Sequence, residues 1–110
     1  MEKIIKNIPH EEITTLASLV NAEEGQIVSK TLAQNKAVSL TVFAFSKGSE
    51  ISTHESKGDA MVTVLEGVGK FTIGGKEHIL KKGETIIMPA TIPHAVFAEE
   101  DFKMFLTVIF

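Results

Sequence analysis

Residues 48–67 read Gly-Ser-Glu-Ile-Ser-Thr-His-Glu-Ser-Lys-Gly-Asp-Ala-Met-Val-Thr-Val-Leu-Glu-Gly. A polar loop carrying one histidine, His54, leads from a break at Gly48 into a β-branched apolar run that stops at Gly67. A second stretch of similar build runs from Gly83 through Pro89 to His94. Each histidine sits on a β segment just after a turn. The rest of the chain is read outward from this pair.

Downstream of Gly67, residues 68–73 alternate, with Lys70 and Thr72 on one side and Phe71 and Ile73 on the other. Gly74-Gly75 is a two-residue hairpin signal, and residues 76–80 return from it. Residues 84–88 are apolar and end at Pro89, residues 93–98 form a short strand, and residues 102–110 close the chain. Upstream, residues 26–33 alternate, Gln34-Asn35-Lys36 is a turn, and residues 37–46 are rich in Val, Leu, Thr and Phe. Short strands with turn signals every ~8–12 residues predict an all-β sandwich or barrel rather than βαβ units.

The first residues follow another rule. Ile4, Ile5 and Ile8 predict a short strand. Pro9-His10-Glu11-Glu12 reads as a helix start, and Ile13, Leu16, Ala17, Leu19 and Val20 give a helical spacing over about two turns. Residues 1–24 are therefore expected to be a strand and short helix packed on the barrel or on a dimer partner, and residues 25–110 the barrel itself.

Composition narrows the function classes. A chain of 110 residues, 44% hydrophobic and 23% charged, is one globular domain able to bury its own core. It has no cysteine, which removes disulfides and thiolate metal sites. All eleven basic residues are lysine, scattered along a chain of net charge −3, so nucleic-acid binding is not expected. No apolar run approaches the ~20 residues that span a bilayer, and the start lacks the core of a signal peptide; a cytoplasmic protein without membrane partners is expected.

At the two histidine stretches the sequence resembles the small single-domain cupins, a family of double-stranded β-helix or jelly-roll barrels. In the family's first motif a glycine precedes His-x-His, then a glutamate, then a glycine; Gly48, His54 and Gly67 fall on it. In the second, a glycine precedes Pro-x-Gly, a histidine and an asparagine; Gly83, Pro89 and His94 fall on it. The resemblance covers residues 37–110 and implies a jelly roll (all-β) with a short N-terminal helical segment. It also implies three histidines and a glutamate around a divalent metal. Carried over by position, the second histidine is Ser56, the glutamate is Ala60, the motif glycine is Thr91 and the asparagine is Ala98.

Two ligand positions of four thus remain, His54 and His94. The expected function is binding of a small molecule in a pocket between them, lined by Ser56, Ala60, Met88, Phe43 and Phe97, with Phe45 and Met104 nearby. The alternative is a metal-dependent enzyme, a dioxygenase, isomerase or lyase acting on a small organic acid or sugar. There His54 and His94 would hold the metal weakly, with Asp59 as third ligand; alternation points Asp59 and Glu55 away from the pocket unless the loop twists. His78 reads as an exposed strand histidine. Finally, residues 104–110 are apolar on both faces except at Thr107, where a strand buried on one face would alternate. A homodimer is expected, because a symmetric copy is the commonest cover for such a face.

Overall fold

The computed structural model describes residues 3–110. Among them, nine strands form two antiparallel sheets that face each other as a jelly-roll barrel. They are β1 (Ile27–Gln34), β2 (Val38–Phe45), β3 (Glu50–His54), β4 (Asp59–Glu66), β5 (Val68–Ile73), β6 (Lys76–Lys81), β7 (Thr85–Met88), β8 (His94–Ala98) and β9 (Phe102–Ile109). One sheet runs β1-β2-β9-β4-β7 and the other β3-β8-β5-β6. Apart from the β1–β2 and β5–β6 hairpins, sheet neighbours are far apart in sequence, so the histidine stretches are brought together by pairing of β3 with β8 and not by chain proximity.

Alternation supplies the core. Along β9, Phe102, Met104, Leu106 and Val108 point between the sheets, and along β4 Ala60, Val62 and Val64 do the same. Phe45 stacks on Phe102 at 4.6 Å between ring centroids, and Phe71 meets Phe102 edge-on at 6.1 Å. Gly69 leaves room for this cluster: a Cβ there would stand 2.8 Å from the Phe102 ring. The β5–β6 hairpin turns through Gly74 and Gly75, at φ 56° and 83°, as that two-residue turn requires.

The N-terminal expectations are corrected in part. Residues 4–8 form no strand, and the helical stretch is one 3₁₀ turn, Leu16–Leu19. The backbone is left-handed at Asn7 and Glu11, which prevents a continuous helix from Pro9. A two-turn helix is marginal alone, and here anchoring to the barrel decides the path. Lys6 N–H donates to Leu32 O at 2.7 Å, and Lys103 Nζ donates to Ala17 O at 2.7 Å. Ile13 is fully exposed, while Ile8, Leu16, Leu19, Val20 and Ala22 pack outside the five-stranded sheet on Leu32, Val42, Ala44 and Phe105. The segment thus covers part of the second face of β9. Met61, Ile87, Ile109 and Phe110 remain exposed.

Residues 50–54, read as a polar stretch with His54 on a β segment, form β3 by pairing with β8. His78 is half-buried, paired with Phe71, where an exposed position was expected.

Candidate functional site

The site is built by one irregularity. Ile51 pairs with Val96 and points between the sheets. In plain register residue 53 would then face residue 94. A bulge between Ile51 and His54 inserts one residue, so His54 faces His94. Without it, alternation would leave His54 on the outer side.

His94 opens β8 after Pro93 and is 3% exposed; His54 ends β3 and is exposed. Their rings meet edge-on, centroids 4.3 Å apart, with Nε2 to Nε2 at 3.1 Å. The other nitrogens face backbone carbonyls: His54 Nδ1 lies 2.9 Å from Ser52 O, and His94 Nδ1 3.2 Å from Ile92 O. A carbonyl oxygen only accepts, so each Nδ1 donates its N–H to the carbonyl it faces, and the Nε2–Nε2 contact is a hydrogen bond only when a further proton lies between the two nitrogens. The His94 pKa is lowered, first by burial, which disfavours the imidazolium; the Ile92 carbonyl works against this, and His54 adds to it.

Two loops brace the pair. Thr91 N–H donates to Ser56 O, and Ala90 N–H donates to Asp59 Oδ1, both at 2.8 Å. The Ser56 hydroxyl accepts from Gly58 N–H at 3.2 Å. Thr91 carries φ 66°, strained for a β-branched residue.

A cavity of about 270 Å³ opens at the pair. Phe43, Ile51, Met88, Val96, Met104, Leu106 and Val108 form its apolar wall; His54, His94, Ser56 and Glu55 form its polar end. The structure places His54, His94, Ser56, Met88 and Phe43 around this cavity. Three placements differ. Phe97 lies on the outer face, with Lys70 Nζ 5.0 Å from its ring centroid, because β8 alternates Val96 inward and Phe97 outward. Ala60 faces inward but is packed among Met88 and Val108 in the core rather than lining the cavity. Glu55 borders the mouth instead of turning away, since the bulge re-aims the chain after Ile51. The sequence pattern did not single out Ile51, Val96, Leu106 and Val108 as wall residues; the inward register of their strands is what places them there.

The donor set does not fit a resident catalytic metal. Among the described residues no three His, Cys, Asp or Glu side chains converge. Asp59 is exposed and engaged by Ala90, on the opposite side of β4 from Ala60. Catalytic zinc takes three protein ligands, and non-haem iron two histidines plus a carboxylate.

Comparison with known proteins places this geometry. Residues 41–110 match the family model for the cupin domain. A solved structure of a conserved protein of unknown function from Streptococcus pyogenes is 44% identical, with TM-score 0.95, over 98% of this chain and 95% of that one. A cupin superfamily protein from Desulfitobacterium hafniense is 32% identical, with TM-score 0.91, over 96% of each chain. Salicylate 1,2-dioxygenase from Pseudoaminobacter salicylatoxidans is 20% identical, with TM-score 0.71, over 76% of this chain and 26% of that one, a likeness of fold alone. No curated protein matches. No helix among the described residues is long and apolar enough to cross a membrane.

Proposed function

The chain belongs to the cupin domain family, and from that premise we propose that it binds a small organic molecule in the cavity between His54 and His94. The observation that carries this reading is an apolar wall closed at one end by two convergent imidazoles. Small-ligand sites have this build: a hydrocarbon lining with a few placed polar groups. The metal-dependent alternative has two nitrogen donors and, among the described residues, lacks a carboxylate converging with them. A screen of small organic molecules by thermal shift tests the proposal. Dose-dependent stabilisation is expected, and it should vanish in Leu106→Phe, which fills the cavity from its half-buried wall. One equivalent of transition metal per purified chain, released by His54→Ala, would overturn it in favour of the alternative.

A homodimer belongs to the same proposal. The N-terminal segment covers the β1–β2 side of the five-stranded sheet, and the exposed Met61, Ile87, Ile109 and Phe110 offer a second copy an apolar face. Light scattering of the wild type and of Ile87→Glu tests it: a dimer is expected for the first and a monomer for the second. A monomeric wild type refutes it.

A further inference from the structure

We infer that the cavity selects a small, largely apolar molecule carrying one O–H or N–H donor, and that His54 Nε2 and His94 Nε2 share this donor. The inference rests on the small-molecule reading above and names the ligand class.

The first argument is the orientation of the rings. Ser52 O and Ile92 O turn both Nδ1–H groups away from the cavity. In the neutral rings two Nε2 lone pairs then converge at 3.1 Å. Two acceptors facing each other at this distance, one of them on the buried His94, are unsatisfied until a donor comes between them. A ligand hydroxyl or amide N–H placed at the apex of that short base serves both.

The second argument is charge. Among the described residues the lining of the cavity holds no lysine, and the chain has no arginine. A carboxylate or phosphate head would find no fixed cation, and would stand near Glu55 at the mouth. An anionic ligand is therefore disfavoured against its neutral alcohol or amide counterpart.

The third argument is the wall. Beyond the histidines the polar groups of the lining are Glu55 and Ser56. The Ser56 hydroxyl already accepts a backbone N–H. A sugar would bury several hydroxyls against Phe43, Met88, Met104 and Leu106 with no partner, at a cost of about 1–3 kcal/mol each. One donor is what the wall tolerates. The volume, about 270 Å³, fits a single ring with a short substituent, being below the roughly 300–1,000 Å³ of drug-sized sites.

The test uses three probes with the same hydrocarbon body: cyclohexylmethanol, its methyl ether, and cyclohexanecarboxylate. Each is titrated by NMR into protein labelled with ¹⁵N-histidine, in buffer with a chelator so that no trace metal bridges the rings. The alcohol is expected to bind and to move both Nε2 resonances. The ether, which lacks the donor, should bind about tenfold more weakly, and the carboxylate more weakly than the alcohol. In His54→Phe the preference of alcohol over ether should shrink while ether binding persists. An ether that binds as well as the alcohol, or a carboxylate that binds best, overturns the shared-donor inference and leaves the small-molecule reading standing. Failure of all three probes to bind overturns both.

Discussion

The two ends of the space between the sheets are built on the same strands and have opposite contents. At one end Phe45, Phe71 and Phe102 are almost completely buried and fill the interior ring against ring. At the other, Leu106 and Val108 of β9 stand where the aromatics would be, and a cavity remains in front of His54 and His94. Strand β9 runs from one end to the other, and its inward residues taper from Phe102 through Met104 and Leu106 to Val108. Side-chain volume along β9 thus falls toward the open end. The packed end holds the sheets together, so the open end can carry strained backbone and converging acceptors.

The largest effect that bears on this contrast is truncation at the closed end. Phe102→Ala should cost about 3–5 kcal/mol in urea unfolding, because the stack on Phe45 and the contact with Gly69 collapse only partly. Leu106→Ala, half-buried beside the existing cavity, should cost only about 1–2 kcal/mol. Equal costs for the two substitutions would break the comparison.

Next in size is the response to acid. Burial holds the His94 pKa below that of a histidine in the unfolded chain. Between the two values the unfolded state binds more protons than the folded state. Stability is therefore complete above an ordinary histidine pKa of about 6.5 and declines as pH falls from there toward the lowered folded value. The slope from this residue is at most about 1.4 kcal/mol per pH unit. Urea midpoints measured from pH 7.5 to 5 should fall for the wild type and fall less steeply for His94→Gln. Identical slopes would show that the open end contributes nothing to acid sensitivity.

How far the sequence reveals this contrast depends on which residues are asked. The strands and hairpins are legible because Gly74-Gly75, Pro89 and the period-two runs impose local rules that tertiary packing does not override. The cupin spacing pairs His54 with His94 on the strength of the motif positions alone. The bulge is not legible: Ser52 and Thr53 are both polar, so the hydrophobic pattern carries no mark of the extra residue that turns His54 inward. Phe97 is misplaced for a related reason. Val96 and Phe97 are both apolar, and only the register against β5, with Lys70 over the ring, says which one faces out. The N-terminal helix fails because its spacing is helical while its anchors, Leu32 O and Lys103, lie on strands remote in sequence.

The smallest expected effect sharpens the contrast most. Thr91 stands at the motif position that the family gives to glycine, and its φ of 66° is one a β-branched side chain resists. Strain of this kind costs about 1–3 kcal/mol. Against it stand the Thr91 hydroxyl, which donates to Ala90 O at 2.6 Å, and the greater unfolded-state entropy of a glycine. Thr91→Gly keeps the N–H that Ser56 O accepts, so the brace between the two histidine loops survives the change. The variant should therefore gain about 0.5–1 kcal/mol in urea unfolding, with the ¹⁵N resonances of His54 and His94 unmoved. A loss of stability would mean that the hydroxyl outweighs the strain. A gain accompanied by shifted histidine resonances would mean that Thr91 itself sets the spacing of the pair.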